Sequence, residues 1–133
     1  MDLFTRTLDH QGRALELLAK RQQVLSANIA NADTPGFKAR DFDFAAALAD
    51  ARAGQAGPVA AATTRAGHLA PPARVDEAQL KWRNPDQASL DGNTVDLDRE
   101  RANFADNAVR YEATLRFING HVKTMLSAIS GQS

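Results

Sequence analysis

A chain of 133 residues has room for one domain or a pair of small modules, which excludes a large multidomain enzyme. Its 16 Lys and Arg balance 16 Asp and Glu, so no net field gathers nucleic acid or an anionic membrane from a distance. With no Cys, disulfides, thiolate nucleophiles and Cys-ligated zinc drop out, and packing has to hold the fold together.

The chain opens Met1-Asp2-Leu3-Phe4-Thr5-Arg6, without a basic leader or an unbroken apolar run, so cleavage of a Sec-type signal peptide is not expected. Nor does any stretch of about 18 apolar residues offer a membrane span. From Phe4, the residues Leu8, Gln11, Leu15, Leu18, Gln22, Leu25 and Ile29 are spaced alternately by four and three, which predicts a helix with a heptad seam. Asp2, Asp9 and Glu16 each precede Arg6, Arg13 and Lys20 by four, the favourable direction for ion pairs on a wet face. Leu3, Leu17 and Val24 form a second apolar strip, too far around the helix for one partner to cover both.

That helix has to stop in Asn28-Ile29-Ala30-Asn31-Ala32-Asp33-Thr34-Pro35-Gly36-Phe37-Lys38. The proline biases Thr34 away from helical geometry, and Pro35-Gly36 fits the centre of a type II turn. Asn28 and Asn31 share a face where the last carbonyls lack intrahelical partners, so their amides are placed to donate to them. Beyond lie two alternating pieces, Phe42 with Phe44 and Leu80 with Trp82, able to pair as a short β-ribbon. On such a strand Asp41 and Asp43 share the face opposite the two Phe, which reads as a half-buried strand rather than a catalytic carboxylate pair. Between these pieces, positions 45 to 73 hold thirteen Ala with scattered Gly and Pro and no aromatic residue. Ala45 to Arg52 could add a short helix; the rest is a connector that builds no core of its own.

The last third returns to the heptad, with Leu97, Arg101, Phe104, Ala108, Tyr111, Leu115, Ile118, Val122, Met125 and Ile129 on the seam and Val109, Phe117 and Leu126 off it. Asn93 or Thr94 is placed to cap this helix; Asp96, Asp98 and Glu100 suit its positive end, and Gly131 permits termination. Gly120, inside the pattern, predicts a close approach or a weak spot. The expected fold is all-α dominated: two long terminal helices packing as an antiparallel coiled-coil-like hairpin, joined by the Ala/Gly/Pro-rich connector. Its parts are an N-terminal axial helix over 1–33, the connector over 34–92 and a C-terminal axial helix over 93–130.

The run Asn28-Ile29-Ala30-Asn31, two residues, then Thr34-Pro35-Gly36-Phe37-Lys38 resembles the N-terminal signature of the bacterial flagellar rod, hook and hook-associated axial proteins. Within that family, Ala39 to Phe44, Ser89 to Asp96 and the short length resemble the proximal rod members. The resemblance implies a structural protein of the basal body, with the terminal helices as an inner tube layer and torque passed from the membrane ring to the distal rod. It implies self-assembly and contact with the rod proteins FlgC, FlgF and FlgG, the adaptor FliE, the membrane ring and the export gate. It also implies a periplasmic rod location and export without a cleaved leader. Asn28, Asn31, Thr34, Pro35, Gly36, Phe37 and Lys38 would form the assembly junction. Leu8, Leu15, Leu18, Leu25, Ile29, Leu97, Phe104, Tyr111, Leu115, Ile118, Val122, Met125 and Ile129 would form the seams. Another rod subunit of the family, or a soluble helical adaptor or secretion chaperone, stays open as an alternative.

No cofactor, metal, nucleic acid or small-molecule substrate is expected, and no catalytic residue. His10, His68 and His121 are too far apart for a local metal pair, and neither a Gly-x-Ser-x-Gly elbow nor a Gly-rich phosphate loop is present. Asp91-Gly92-Asn93-Thr94-Val95-Asp96 fails as a calcium loop because Val95 takes the fifth position and Ala102 that of the bidentate Glu. The arginines of the last helix are interleaved with acids, which neutralises a nucleic-acid stripe.

Overall fold

A computed structural model of the chain describes residues 2–56, 80–83 and 89–131. In chain order the elements are α1 (Asp2–Ala30), β1 (Arg40–Asp41), α2 (Phe44–Ala56), β2 (Lys81–Trp82) and α3 (Leu97–Ser130). The two long terminal helices pack together and dominate the molecule. α2 and the two-stranded ribbon lie against α1.

α1 ends by tightening: the Asn31 N–H is shared between the carbonyls of Ala27 and Asn28, and Ala32 and Thr34 bond back three residues. α3 starts at Asp96, whose carboxylate accepts the Arg99 N–H at 3.2 Å, and stops at Gly131 with φ of 65°. The capping residue is thus neither Asn93 nor Thr94, because both side chains are engaged elsewhere. α2 is capped by Asp43, which accepts the Ala46 N–H at 3.1 Å.

That cap shortens the expected ribbon. Strand pairing sets Arg40 opposite Trp82 and Asp41 opposite Lys81, while Phe44 opens α2. Asp41 and Asp43 therefore do not share one strand face. The ribbon closes on itself through Arg83 N–H to Ala39 C=O at 3.0 Å. Two strands this short are not stable alone, so the ribbon depends on what grips it.

The apolar core is small, and it sits on the second strip of α1. Leu17, Phe42 and Ala47 are buried together, with Phe44, Leu48 and Leu80 packed around them. The partner that a single neighbouring helix could not supply is thus α2 with the ribbon. Arg13, placed by spacing in a surface pair with Asp9, instead donates to the Ala51 carbonyl on α2. On the other strip Leu18 and Leu25 are buried.

Along α3 the deepest positions are polar: Glu100 and Asn107 are fully buried, while Arg101 and Ala108, expected on the seam, are exposed. The packed face is rotated by about one residue position toward Glu100 and Asn107, and keeps Leu97, Phe104, Tyr111, Leu115, Ile118 and Met125 half-buried. Glu100 therefore does not serve as a solvated partner of the helix dipole. The amide of Asn107 explains part of the rotation, since it reaches α1 and donates to the Leu18 carbonyl at 2.9 Å and to Gln22 Oε1 at 2.6 Å. Gly120 has open space where a Cβ would stand, so within one chain it is not a close approach. The connector from Gly57 to Gln79 lies outside the described residues, and its expected character stays an expectation.

Candidate assembly junction

The backbone geometry of the ribbon creates the first demand. Arg40 and Trp82 face each other between the bonded pairs of the ladder, so the N–H and C=O of Arg40 point away from β2 and need partners. Asn28 supplies both: its Nδ2 donates to the Arg40 carbonyl at 2.7 Å, and its Oδ1 accepts the Arg40 N–H at 3.1 Å. One side-chain amide thus stands in for a third strand. Asn28 is 1% exposed, so no water could replace this pairing.

The other Asn28 amide hydrogen goes to Glu100 Oε2 at 3.1 Å. Glu100 Oε1 accepts from Arg83, which also pairs with Asp41, and Arg21 grips the same Asp41 with two bonds of 3.2 Å. Arg21, Asp41, Arg83 and Glu100 form a neutral alternating chain from α1 through β1 and the residue after β2 to α3. Burial is tolerable because each charge faces its opposite and is hydrogen-bonded. Burial alone would raise the Asp41 carboxyl; the Arg21 hydrogen bond and charge, the Phe42 N–H and the Arg83 charge outweigh it and hold the group below its usual range. On the far side of the ribbon the Arg40 guanidinium stacks 4.3 Å from the centre of the Trp82 ring.

The second demand is the open end of α1. Asn31 donates to the Ala27 carbonyl at 2.8 Å and accepts the Thr34 hydroxyl at 3.1 Å. Asn93 does more: its Nδ2 lies 3.0, 2.8 and 2.8 Å from the carbonyls of Asn31, Ala32 and Thr34, and its Oδ1 takes the Val95 N–H. The turn itself closes through Phe37 N–H to Thr34 C=O at 3.2 Å, with Gly36 at φ of 73°, the positive value expected at that position of a type II turn.

The segment before α3 laces onto this turn. Gly36 N–H donates to Asp91 C=O at 2.9 Å, Thr94 N–H to Phe37 C=O at 3.0 Å, and Ala39 N–H to the Thr94 hydroxyl at 2.8 Å. Lys38 Nζ donates to the Gly92 carbonyl at 2.5 Å. Gly92, itself at φ of 77°, lies so close that a Cβ there would stand 3.8 Å from the Gly36 Cα. Asp91 is held below the ordinary carboxylate range by the Ser89 hydroxyl and the Asn93 N–H.

Asn28, Asn31, Thr34, Pro35, Gly36, Phe37 and Lys38 therefore come together around one helix end, with Asn28 inside and Thr34, Pro35, Gly36 and Lys38 on the outer surface. Only Asn31 donates to a late α1 carbonyl as the spacing predicts; Asn28 turns inward instead. Sequence reasoning missed Arg21, Arg83, Glu100 and Asn107, and it gave Asn93 the wrong helix. Their partners lie up to 89 residues away, so no local pattern carried them. As chemistry the arrangement is a clamp, since Asp41, Glu100 and the amides of Asn28, Asn31 and Asn93 are spent on holding backbone and neighbouring side chains.

The family of flagella basal body rod proteins matches residues 8–38, which is most of α1 and the whole turn through Lys38. The flagellar basal body rod protein FlgB of Proteus mirabilis strain HI4320 is 48% identical, with 97% of each chain covered. FlgB of Escherichia coli K12 is 47% identical over 97% of this chain and 96% of its own, and that of Salmonella typhimurium LT2 44% over 98% of both. With likeness running through both helices and the clamp between them, the chain belongs to the FlgB family of flagellar basal body rod proteins, a structural family rather than an enzymatic one.

Proposed function

We propose that the chain is a proximal rod subunit whose terminal helices, paired as an antiparallel coiled-coil-like hairpin, assemble with neighbouring helices into the inner layer of the rod and pass torque outward from the membrane ring. The cross-links Asn28 to Glu100 and Asn107 to Leu18 and Gln22 support the antiparallel pairing. Export without a cleaved leader, a periplasmic position, and contact with FlgC, FlgF, FlgG, FliE and the export gate belong to the same reading. No helix among the described residues is long and apolar enough to cross a membrane.

The observation that carries it is the uncovered apolar surface at the end of the helix pair remote from the clamp. Leu3, Phe4, Val122, Leu126 and Ile129 are 76, 44, 41, 61 and 73% exposed in the single chain. Three of these, Phe4, Val122 and Ile129, were placed on the seam by spacing, and they stay exposed in the single chain. A neighbouring subunit would provide their cover. Leu126→Asp tests this without touching the internal core. The variant should keep the helix content of the wild type, yet fail to co-purify with basal bodies or restore motility to cells lacking the gene. Normal motility of that variant would overturn the reading.

A further inference from the structure

The molecule is neutral overall, but two of its described clefts carry opposite charge. On one flank of α1 a groove between the helix and the ribbon is lined by Lys20, Lys38 and Arg40, with Phe37, Leu80 and Trp82 beside them, and no acidic residue among its described lining. At the end of the helix pair, the cleft formed where the 89–96 segment enters α3 is lined by Asp33, Asp91, Asp96 and Asp98, with no basic residue among its described lining. Asp33 and Asp98 are exposed, as are Lys38 and Arg40.

We propose that the groove is the docking site for the acidic end of a second copy of this chain, so that subunits contact head to tail through Lys20 and Arg40 on one and Asp33 and Asp98 on the next. This rests on the reading of the chain as an assembling rod subunit, and adds which surfaces meet. A contact between two different patches propagates into a ring or a helix when each copy docks the next, and closes as a two-fold dimer when two copies dock each other; the reading of the chain as a rod subunit selects the first. Like patches repel, so the same charges disfavour the back-to-back pairings that would cap growth. The groove also offers what an acidic end needs beyond charge: apolar and aromatic walls that exclude water and strengthen the ion pairs at its rim. Arg40 is already held in place by Trp82, which lowers the cost of fixing its side chain. Lys38 is kept by the Gly92 carbonyl, so Lys20 and Arg40 are the charges left for a neighbour.

Charge exchange tests this in flagellate cells carrying the full chain. Lys20→Glu with Arg40→Glu, and separately Asp33→Lys with Asp98→Lys, should each lower incorporation into basal bodies about tenfold or more, with wild-type circular dichroism for the purified chains. The quadruple variant, in which both signs are swapped, should recover incorporation. Because the chain has no Cys, a second readout is available. Chains with Gln23→Cys in the groove and Ser89→Cys at the acidic end, co-expressed, should form a mixed disulfide dimer on mild oxidation. Double variants that incorporate normally would overturn the proposal. So would a quadruple variant that stays excluded together with absence of the mixed dimer, or Gln23→Cys chains that cross-link chiefly to themselves. In each case recovery of the wild-type chain in basal bodies leaves the rod assignment standing, while its absence from them would remove that assignment too.

Discussion

Asp41 holds two guanidinium groups from different elements, and its response to acid follows from that position. Its folded pKa is depressed, so its contribution is fully present above the unfolded value of about 4 and is lost as pH falls through the folded one. Asp41→Asn should cost about 1.5–3 kcal/mol at neutral pH, because Arg21 and Arg83 lose a charged partner in a largely water-free place. Below about pH 4 the gap between wild type and variant should narrow. Urea melts at pH 7, 5 and 3 measure this directly, and a gap that widened on acidification would contradict the assignment of Asp41 as the ion chain's centre. Nothing in the local sequence singled out this residue. Asp41 and Asp43 look alike in an alternating run, and only the cap that Asp43 gives α2 separates their roles.

At the scale of elements, what was legible is what repeats locally. The long helices follow from heptads, the turn from Pro35-Gly36 and the α3 stop from Gly131, although α1 ends at Ala30 and α3 begins only at Leu97. What was illegible depends on partners distant in sequence: the rotation of α3 toward Glu100 and Asn107, and the reassignment of Asn93 from the start of α3 to the end of α1. A buried Asn and a surface Asn look the same in a sequence, and an acid near a helix start reads as a dipole partner until its real contact is seen. The turn offers the sharper test. Nothing lies within 4 Å of a Cβ built on Gly36, so a substitution there meets no neighbour and pays only for its positive φ. Gly36→Val should destabilise by at least about 1–2 kcal/mol, whereas Gly36→Asn should be clearly milder because Asn tolerates that region. Equal melting temperatures for the two variants would rule out a positive-φ requirement.

For the molecule as a whole, stability is concentrated at one end. Around the clamp lie the buried residues Leu17, Leu18, Leu25, Ala39, Phe42 and Ala47, together with the neutral ion chain and the amides of Asn28, Asn93 and Asn107. At the other end Leu3, Phe4, Leu126 and Ile129 face solvent, and helix segments without tertiary cover are marginal in water. Local opening should therefore grade along each long helix in the isolated chain. Amides of residues 17–29 in α1 and 100–111 in α3 should exchange near the global unfolding limit. Those of residues 3–9 and 122–130 should exchange far faster, by about two orders of magnitude for each 2.7 kcal/mol of missing stability. On assembly into the rod the fast ends should become protected, since their apolar faces gain the cover they lack alone. Uniform protection along both helices of the dilute chain would mean that the open end is stable without neighbours. It would then leave no energetic reason for the exposed leucines and isoleucine to be where they are, and the argument that assembly completes this core would fail with it.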